Sequence, residues 1–413
     1  MPTQISVTSY YYRRGGAEAV MLDQNELLES RGWDIVPFAM EYEQNFETEY
    51  DDYFVEEIDF ASDYKPVEKV RKVVKSIYSL EARREIGRLI DDVRPDVVHA
   101  HNVYHHLTPA IFGAIQKRGV PSVMTVHDLK IGCPSKLMLA PDGVCERCKG
   151  GKTWNAVGQR CLKGSLPLSA IAAFETTLHN FLGSYRKNVD LFVLPSHFHM
   201  NKLIDWGLPV EKARYLPNAV DVSQLVPDFS PGKRFVFVGR LSEEKGLLTF
   251  VKAVAHAGVA ATIVGTGPQE GELRALVDST GADVEFAGYQ TGDDLFDIVR
   301  AARALVLPSE CYENAPVVLL EAYGVGTPVL GSNLGGIPEL IVAGETGLLA
   351  TAGDVESFAE ELSKLSTMSD ADLEAMARAG RSFVEAGFGR EQYLEGLLGI
   401  YDELGVSRSA TQR

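Results

Sequence analysis

The sequence predicts an α/β protein of two domains, each built as a parallel β-sheet with helices on both faces. Three observations support this prediction. The chain has 413 residues, strand-like segments alternate with helical ones, and a cycle of strand, glycine-containing loop and helix begins near residue 4 and again near residue 234. A chain of this length exceeds one ordinary domain, and alternating strands and helices are typical of parallel sheets. We therefore expect two Rossmann-like domains.

The first half opens with a predicted strand at 4–12, rich in β-branched and aromatic residues, which ends before the Gly15-Gly16 pair. A segment with apolar residues at helical spacing follows over 17–30. Further strands are predicted at 34–38, 96–100, 122–126 and 191–194, and the last three end in polar residues. Since ligands bind at the carboxyl ends of the strands in such sheets, these polar ends indicate a binding site.

The second half contains predicted strands at 234–238, 261–264, 284–287, 304–307 and 328–330. We place the domain boundary between about residues 196 and 233, and we assign residues 1–195 to an N-terminal domain and residues 196–390 to a C-terminal domain. A last helix near 390–404 has Tyr393, Leu397, Ile400 and Tyr401 on one side. This periodicity predicts that the apolar side is buried.

The composition narrows the class of protein. Hydrophobic residues make up 45% of the chain and charged residues 23%, which is ordinary for a globular enzyme. The net charge of -17 argues against a nucleic-acid partner, because phosphate contacts need clustered Lys and Arg. The sequence lacks a run of about 18 apolar residues, and its beginning resembles a strand rather than a signal peptide. The cytoplasm is the expected location.

An anion site is predicted where Arg240 and Lys245 follow the strand at 234–238. Lys245 falls near the start of the next helix, where a cation opposes the helix dipole unless an anion shares the site. An Arg and a Lys at one strand-to-helix junction suit a diphosphate. An exposed pair on a solvated loop satisfies the same spacing, and both interpretations stay open at this point.

A second candidate site lies at 308–322. Asn314 is predicted to cap a helix that is apolar nearly all round, so Glu321 within it is predicted to be buried. A buried carboxylate needs a partner, and sugar or ribose hydroxyls can donate hydrogen bonds to it. Glu313 precedes the same helix, whose free N–H groups can bind phosphate. The alternative is that Glu321 pairs with a core arginine and Glu313 only decorates the loop.

The first half offers weaker signals. Gly15-Gly16 allows a ligand to approach the backbone closely, but the pair lacks the G-x-G-x-x-G pattern of nicotinamide-binding domains. Among several histidines near strand ends, His127 follows an apolar strand and is the one expected to face a cleft. The others are expected to be ordinary hydrogen-bonded residues, and their spacing does not indicate a metal.

Four cysteines form a C-x11-C-x2-C-x12-C pattern within a short polar insertion at 133–161. Such an insertion cannot build its own core, so it needs a covalent or metal staple. A central C-x2-C suits a structural Zn2+ with four thiolate ligands. An iron–sulfur cluster, two disulfides or free thiols are the alternatives. The four cysteines are Cys133, Cys145, Cys148 and Cys161.

The segment 65–88 is basic and has valines at helical spacing. One interpretation is that it rests on the inner face of an anionic membrane. The other is a solvated helix that balances the acidic stretch at 41–63.

Together these segments resemble glycosyltransferase family 4, the retaining enzymes of the GT-B fold, over nearly the whole chain. The most specific parts are Val238-Gly239-Arg240-Leu241 through Lys245-Gly246, and Glu313 with Glu321 as the family's E-x7-E pattern. Segments 216–221 and 335–339 are similar to further family segments. The resemblance implies two Rossmann-like domains with a cleft between them and a C-terminal helix, 391–413, that returns toward the N-terminal domain.

The resemblance also implies roles for the matching residues. Arg240 and Lys245 would bind the diphosphate of a nucleotide-sugar donor, and Glu321 would hold the ribose hydroxyls. Glu313 would contact the transferred sugar together with the backbone of Asn314, Ala315 and Val317. Gly16 would form the loop near the donor phosphate and the acceptor, and His127 would line the reaction centre. The acceptor would be a glycan, a lipid-linked sugar or a small molecule.

No D-x-D motif is evident at a strand end, so a catalytic metal is not expected. Two features depart from the common family pattern: Asn314-Ala315-Pro316 follows Glu313 where a glycine is frequent, and the cysteine insertion belongs to only a portion of the family. The competing hypotheses are a non-catalytic protein that binds sugar nucleotides or glycans, and a sugar-nucleotide epimerase or hydrolase.

Overall fold

The computed structural model describes residues 1–59, 65–140 and 142–406, so part of the acidic stretch 41–63 and the end of the predicted segment 391–413 lie outside the described residues. The chain divides into two compact units. The first comprises residues 1–138, 146–216 and those from Tyr393 onward, and the second comprises residues 139–145 and 217–392. Each unit contains one six-stranded sheet in which every neighbouring pair is parallel. The prediction of two Rossmann-like α/β domains is confirmed.

The sheet of the first unit has the strand order β2-β1-β3-β4-β7-β8. Its strands are β1 (Thr3–Val7), β2 (Asp34–Phe38), β3 (Val97–Ala100), β4 (Ser122–Thr125), β7 (Leu191–Leu194) and β8 (Ala213–Tyr215). A short hairpin of β5 (Leu139–Ala140) and β6 (Gly143–Val144) falls within residues 139–145, which belong to the second unit. The helices are α1 (Gly16–Ser30), α2 (Pro66–Ile77), α3 (Leu80–Val93), α4 (Ala110–Lys117), α5 (Asn155–Gly158), α6 (Leu166–Leu182) and α7 (His197–Asp205).

The sheet of the second unit has the strand order β11-β10-β9-β12-β13-β14. Its strands are β9 (Phe235–Val238), β10 (Ala260–Val264), β11 (Asp283–Gly288), β12 (Ala304–Leu307), β13 (Val329–Ser332) and β14 (Gly347–Ala350). Its helices are α8 (Leu247–Ala257), α9 (Glu270–Thr280), α10 (Gly292–Arg300), α11 (Val317–Gly324), α12 (Val355–Thr367) and α13 (Asp370–Gly387). Alternate residues of β9 belong to two different apolar clusters. Phe235 and Phe237 lie in one cluster and Val236 lies in the other, so both faces of the sheet are covered.

The first sheet extends further along the chain than the sequence predicts. β8 pairs in parallel with β7, so the sheet continues to Tyr215 and the main segment of the first unit ends at Leu216. The end at Leu216 lies within the predicted boundary range of 196–233, and the assigned end at residue 195 is too early. β8 escaped prediction because it is only three residues long and only its first residue is buried.

The last helix, α14 (Arg390–Glu403), buries the apolar side that its periodicity predicts, which includes Tyr393, Leu397, Ile400 and Tyr401. Its residues from Tyr393 onward belong to the first unit. The Tyr393 hydroxyl donates to the Gln24 side chain at 2.8 Å, and the Tyr401 hydroxyl lies 2.6 Å from Nδ1 of His99. The hydrogen bonds satisfy polar groups that would otherwise be buried without partners.

Candidate functional site

In the second unit, Lys245 and Glu313 form an ion pair between the loops that follow β9 and β12. Nζ of Lys245 donates to Oε1 of Glu313 at 2.6 Å. Gly246 follows Lys245 at a φ of +67°, and a Cβ at this position would lie 2.0 Å from the carbonyl oxygen of Pro308. The glycine therefore lets the two loops approach closely enough for the ion pair to form.

Glu313 is fixed from two further directions. The hydroxyl of Ser309 donates to the same Oε1 at 2.8 Å, and the backbone N–H of Gly336 donates to the Glu313 carbonyl at 2.8 Å. Gly335 has a φ of +67°, and a Cβ there would lie 2.7 Å from that carbonyl oxygen. The Gly335-Gly336 pair thus supports the backbone beneath the carboxylate.

The environment keeps Lys245 charged. Burial alone would lower the pKa of its ammonium group, but the adjacent Glu313 carboxylate raises that pKa above its ordinary value. Both side chains remain partly exposed to solvent. A ligand anion can therefore reach the ammonium group without first opening the core.

Arg240 lies two residues beyond the end of β9, and its side chain is exposed. Within the part of the chain that the structure describes, its guanidinium makes no hydrogen bond or ion pair. Gly265 and Gly267 line the same loop, since a Cβ on either would lie within 2.3 Å of the backbone oxygens of Gly239 or Leu241. Sequence reasoning missed these two glycines, although a G-x-G directly after β10 was a signal for close packing.

The prediction that Asn314 caps the following helix is wrong. α11 begins at Val317 with Pro316 at the N-cap position, in an extended conformation and without a side-chain cap. The residue before a proline avoids the helical region, so Ala315 cannot join the helix and the start moves past Pro316. Ala315 is instead held by Asn218, whose buried side-chain amide donates to the Ala315 carbonyl at 2.8 Å.

The prediction that Glu321 is buried is also wrong. α11 buries Leu319, Leu320 and Tyr323, whereas Val317 and Glu321 are partly exposed. The helix is apolar nearly all round, so its sequence does not indicate which face is exposed to solvent. Glu321 therefore lies on an accessible face of the helix, where a ligand can contact its carboxylate.

In the first unit, the loop after β1 leads into α1 at Gly16, and Gly15 is the extended N-cap. A Cβ on Gly16 would meet no atom within 4 Å, so the space beside this residue is open. Glu18 in the first turn is buried, and Nδ2 of Asn102 lies 3.5 Å from its Oε1. The role of Gly16 in ligand binding stays a prediction.

Three histidines stack at the carboxyl ends of β3 and β4. The rings of His99 and His101 are 4.8 Å apart, those of His101 and His127 are 5.2 Å apart, and Nδ1 of His101 lies 2.9 Å from Nε2 of His127. Burial lowers the pKa of His127 to about 4 and that of His99 to about 3. All three rings are therefore neutral near pH 7, and the link from His101 to His127 was not anticipated.

The zinc site predicted at the four cysteines stays a prediction. Cys133 and Cys148 are buried, whereas Cys145 and Cys161 are partly exposed. Across residues 1–59, 65–140 and 142–406, no group of three or more His, Cys, Asp or Glu side chains is placed so that it could hold a metal ion.

Side-chain contacts also attach the insertion to the neighbouring helices. Lys202 on α7 donates to Glu146 at 2.6 Å, and Lys149 pairs with Asp205. Thr153 is buried against α6, where its hydroxyl lies 2.5 Å from that of Thr177. Contacts with α6 and α7 therefore attach residues 146–158 to the first unit.

Two family models match this chain. The model described as Glycosyltransferase Family 4 matches residues 14–224, and the model described as Glycosyl transferases group 1 matches residues 232–368. The first match alone covers more than half of the chain. The protein therefore belongs to glycosyltransferase family 4, as its motifs predict.

Curated relatives include the D-inositol 3-phosphate glycosyltransferase of Acidothermus cellulolyticus, which is 30% identical over 368 residues, or 82% of this chain and 73% of that protein. The putative colanic acid biosynthesis glycosyltransferase WcaL of Escherichia coli is 30% identical over 220 residues. That match covers 49% of this chain and 54% of WcaL, so the chain spans about half the length of this relative.

The fold is similar to that of solved GT-B proteins. Sucrose-phosphate synthase from Thermosynechococcus elongatus matches with a TM-score of 0.73 at 20% identity, over 98% of this chain and 99% of that one. Alr3699/HepE of Anabaena, solved in complex with UDP and glucose, matches with a TM-score of 0.68 at 15% identity, over 98% and 100%. These likenesses confirm the GT-B fold.

Proposed function

We propose that the protein is a retaining glycosyltransferase that moves a sugar of the hexose type from a nucleoside-diphosphate sugar to an acceptor. The observation that carries this proposal is the Lys245–Glu313 ion pair. It lies after β9 and β12, at the carboxyl ends of a parallel sheet, where ligands bind in such folds. Loops that hold a cation and a carboxylate this closely suit a ligand with both phosphates and hydroxyls.

The donor diphosphate is assigned to Arg240 and Lys245. Arg240 supplies an exposed guanidinium fork, and Lys245 supplies a partly buried point charge. The backbone N–H groups of Asn314, Ala315 and Val317, at the start of α11, provide further donors. A complex of UDP and glucose with the Anabaena neighbour supports a donor of this class.

The sugar and ribose hydroxyls are assigned to the two glutamates. Glu313 would accept hydrogen bonds from the transferred sugar, and Glu321, accessible on α11, would accept them from the ribose. When the diphosphate binds, it would compete with Glu313 for Lys245. The carboxylate would then be released toward the sugar, while Ser309 still orients it.

The chemistry follows from charge separation. Breaking the bond between the sugar and the diphosphate leaves positive charge on the sugar and negative charge on the leaving group. Fixed cations and helix N–H groups stabilise the leaving group as this charge develops, which is how preorganised sites lower a barrier. Attack on the same face of the sugar would give retention. A catalytic metal is not required, because Arg240 and Lys245 supply the positive charge.

The acceptor side is assigned to the first unit. A Cβ on Gly16 would meet no atom within 4 Å, which leaves room for an acceptor, and His127 would line the reaction centre as a neutral ring. Tyr12 and Tyr42, whose rings stack at 5.5 Å, lie on loops that follow β1 and β2 and could support a sugar ring. The acceptor would be a glycan, a lipid-linked sugar or a small molecule, in a cytoplasmic setting that cell fractionation can test.

Two alternatives stay open. A non-catalytic protein would bind sugar nucleotides or glycans without turnover, and an epimerase or hydrolase would turn the donor over without an acceptor. The presence of Arg240, Lys245 and Glu313 together favours the transferase. A catalytically inactive protein on the same fold would be expected to lack at least one of these side chains. Detection of a sugar on an added acceptor separates the three.

Lys245→Ala is expected to lower sugar transfer about a hundredfold. Removal of one charged contact to the leaving group costs about 3 kcal/mol in the barrier. The rate of nucleotide release and of product formation should be measured with UDP-, GDP- and ADP-sugars, after a thermal-shift screen has identified the donor. A donor at 100 times its dissociation constant stabilises the folded state by about 2.7 kcal/mol.

Lys252→Ala is the matched control, because Lys252 is an exposed lysine on α8, outside the loops that hold Glu313. The control should keep full activity and the wild-type melting temperature. Unchanged transfer by Lys245→Ala would refute the assignment of the donor site.

A structural zinc ion at Cys133, Cys145, Cys148 and Cys161 is a separate prediction, and it does not affect the proposed reaction. The described residues offer it no assembled ligand set. Metal analysis of the purified protein decides the matter: about one zinc per chain, lost in Cys145→Ser, would require the segment to close around the ion.

A further inference from the structure

α2 is amphipathic, but its polar side chains face the protein and its apolar side chains face solvent. Its buried residues are Lys72 and Ser76, whereas Val67, Val70 and Val74 are 84%, 64% and 58% exposed. These valines lie at i, i+3 and i+7, so they form one stripe along the helix. The stripe faces solvent.

Ion pairs hold α2 in this orientation. Nζ of Lys72 pairs with Glu56 at 2.8 Å and donates to the Glu57 carbonyl at 3.0 Å, and Lys75 pairs with both Glu56 and Glu81. Hydrogen bonds from the two lysines lower the pKa of Glu56 to about 2, so this contact stays charged. The polar face therefore fastens the helix to the protein and leaves the apolar face outward.

A second helix next to α2 also exposes large apolar side chains. Nε2 of His179 on α6 donates to the Ile77 carbonyl at the end of α2, at 2.7 Å. On α6, Phe174 and Phe181 are 58% and 83% exposed, and they lie seven residues apart on one stripe. We refer to Val67, Val70, Val74, Phe174 and Phe181 as the apolar ridge.

A basic groove adjoins the end of α2. It has a volume of about 390 Å³, and it lies between α3 and α4. Exposed Leu80, two residues after Tyr78, lines it, and Arg83 donates to the Tyr78 hydroxyl at 3.0 Å. The basic groove is defined by Leu80, Arg83, Arg84, Arg88, Lys117 and Arg118.

The groove carries a net positive charge within a protein whose net charge is -17. Glu85 pairs with Arg84 and Arg88, and Asp91 pairs with Arg118. These two carboxylates thus pair with three of the five cations. Solubility does not explain this local excess of positive charge, because clustering cations beside exposed Phe and Val side chains does not make an acidic protein more soluble.

We propose that the apolar ridge and the basic groove form one docking surface for an anionic lipid bilayer. The phenylalanine and valine side chains would enter the headgroup–acyl boundary, and the groove would bind lipid phosphates. A second copy of the chain is a poorer occupant. A symmetric contact through this surface would bring the two clusters of cations toward each other. The proposal concerns binding alone and does not rest on the proposed reaction.

The test is co-sedimentation of the full-length protein with vesicles of phosphatidylglycerol and phosphatidylcholine, compared with phosphatidylcholine alone. Binding is expected only with the anionic vesicles, and it should fall sharply between 0.05 and about 0.5 M salt, as screening predicts. The double variant Arg83→Gln, Arg84→Gln should lower the partition coefficient of the protein on the vesicles about 25-fold, because the loss of each cation lowers it about fivefold. Val70→Ser with Phe181→Ser should weaken it more than tenfold.

Val226→Ser with Lys364→Gln is the matched control, because both residues are exposed and lie in the second unit. It should bind the vesicles as the wild type does. Absence of wild-type binding at low salt, or equal binding by all variants, would overturn the proposal. So would a dimer that Phe181→Ser abolishes in sedimentation velocity without any vesicle binding. Sugar transfer to a water-soluble acceptor should be equal in all of these variants, which separates this test from that of the proposed function.

Discussion

His99 illustrates how a single side chain can be fixed by the fold without being identified by its sequence context. Its ring is fully buried, with Nδ1 at 2.6 Å from the Tyr401 hydroxyl and Nε2 at 2.8 Å from Oγ1 of Thr125. The partner at Tyr401 is 302 residues away in the chain. The sequence predicts that a histidine near a strand end is hydrogen-bonded, but the spacing within one strand cannot identify a partner that distant.

This burial makes the stability of the protein depend on His99 in acid. The pKa of His99 is lowered from 6.5 to about 3, chiefly by burial. Below pH 6.5 the unfolded chain binds a proton that the folded chain does not, so the free energy of unfolding falls as the pH falls toward 3. The His99 contribution is about 1.4 kcal/mol for each pH unit within this window.

We expect His99→Gln to remove that dependence. The variant should be less stable than the wild type at pH 7, because a ring that makes hydrogen bonds is lost. The difference should narrow between pH 6.5 and 4 when measured by urea unfolding. His256→Gln, at an exposed histidine on α8, is the control. A difference that stays constant over this pH range would contradict the argument.

Among the elements of the fold, the strands with continuous apolar runs were the easiest to predict. β9 and β12 lie at or within one residue of their predicted bounds, because each is a short apolar run buried on both faces. β14 was missed: its first residue is Gly347, and a Cβ there would lie 2.1 Å from the Val329 carbonyl. A glycine that marks close strand packing looks like a turn residue in the sequence alone.

The loops of the candidate site were predicted less well than the strands, for a physical reason. Arg240, Lys245 and Glu313 were identified because charged residues directly after strands are conspicuous. The start of α11 and the exposure of Glu321 depend on what packs against each face of the helix. The helix has only eight residues, so the spacing of its apolar residues does not show which face is buried. The local rule for the residue before a proline would have corrected the first error.

The loop at 335–336 gives a prediction at this scale. Gly335→Ala would place a Cβ 2.7 Å from the Glu313 carbonyl oxygen, in addition to the strain of a positive φ. We expect a loss of about 1–2 kcal/mol in unfolding free energy, together with a loss of transfer activity because Glu313 is displaced. Calorimetry and initial rates measure the two effects separately.

Gly344→Ala is the control for that substitution. Gly344 also has a positive φ, of +82°, but a Cβ there would meet no atom within 4 Å. It should show the strain cost without the loss of activity. If both variants lost activity equally, the close contact at Glu313 would not be the cause.

At the scale of the whole molecule, the charge is distributed unevenly, and one groove has the opposite sign to the net charge of the chain. The net charge of -17 argues against nucleic acid as a general partner, yet five cations line one groove of the first unit. In the described part of the chain no helix is long and apolar enough to cross a membrane. The basic stretch at 65–88 was visible in the sequence, but the outward direction of its valines was not, since it depends on the ion pairs of Lys72 and Lys75.

The first unit is also discontinuous in sequence, because residues from Tyr393 onward complete it after the second unit has ended. The hydroxyl of Tyr401 donates to Gln4, which is 397 residues away. The apolar side of α14 should therefore stabilise the first unit as an ordinary core helix does. We expect Leu397→Ala, at a fully buried position, to cost about 2–5 kcal/mol in unfolding free energy.

Glu395→Ala on the exposed side of the same helix should change the unfolding free energy by less than about 0.5 kcal/mol. Both variants should be compared by urea unfolding, with the signal of Trp33, which is buried and packs against Tyr401 at a ring distance of 5.4 Å. The Trp33 transition should move to lower urea in Leu397→Ala and stay unchanged in Glu395→Ala. Equal transitions in the two variants would mean that the apolar side of α14 does not stabilise the first unit.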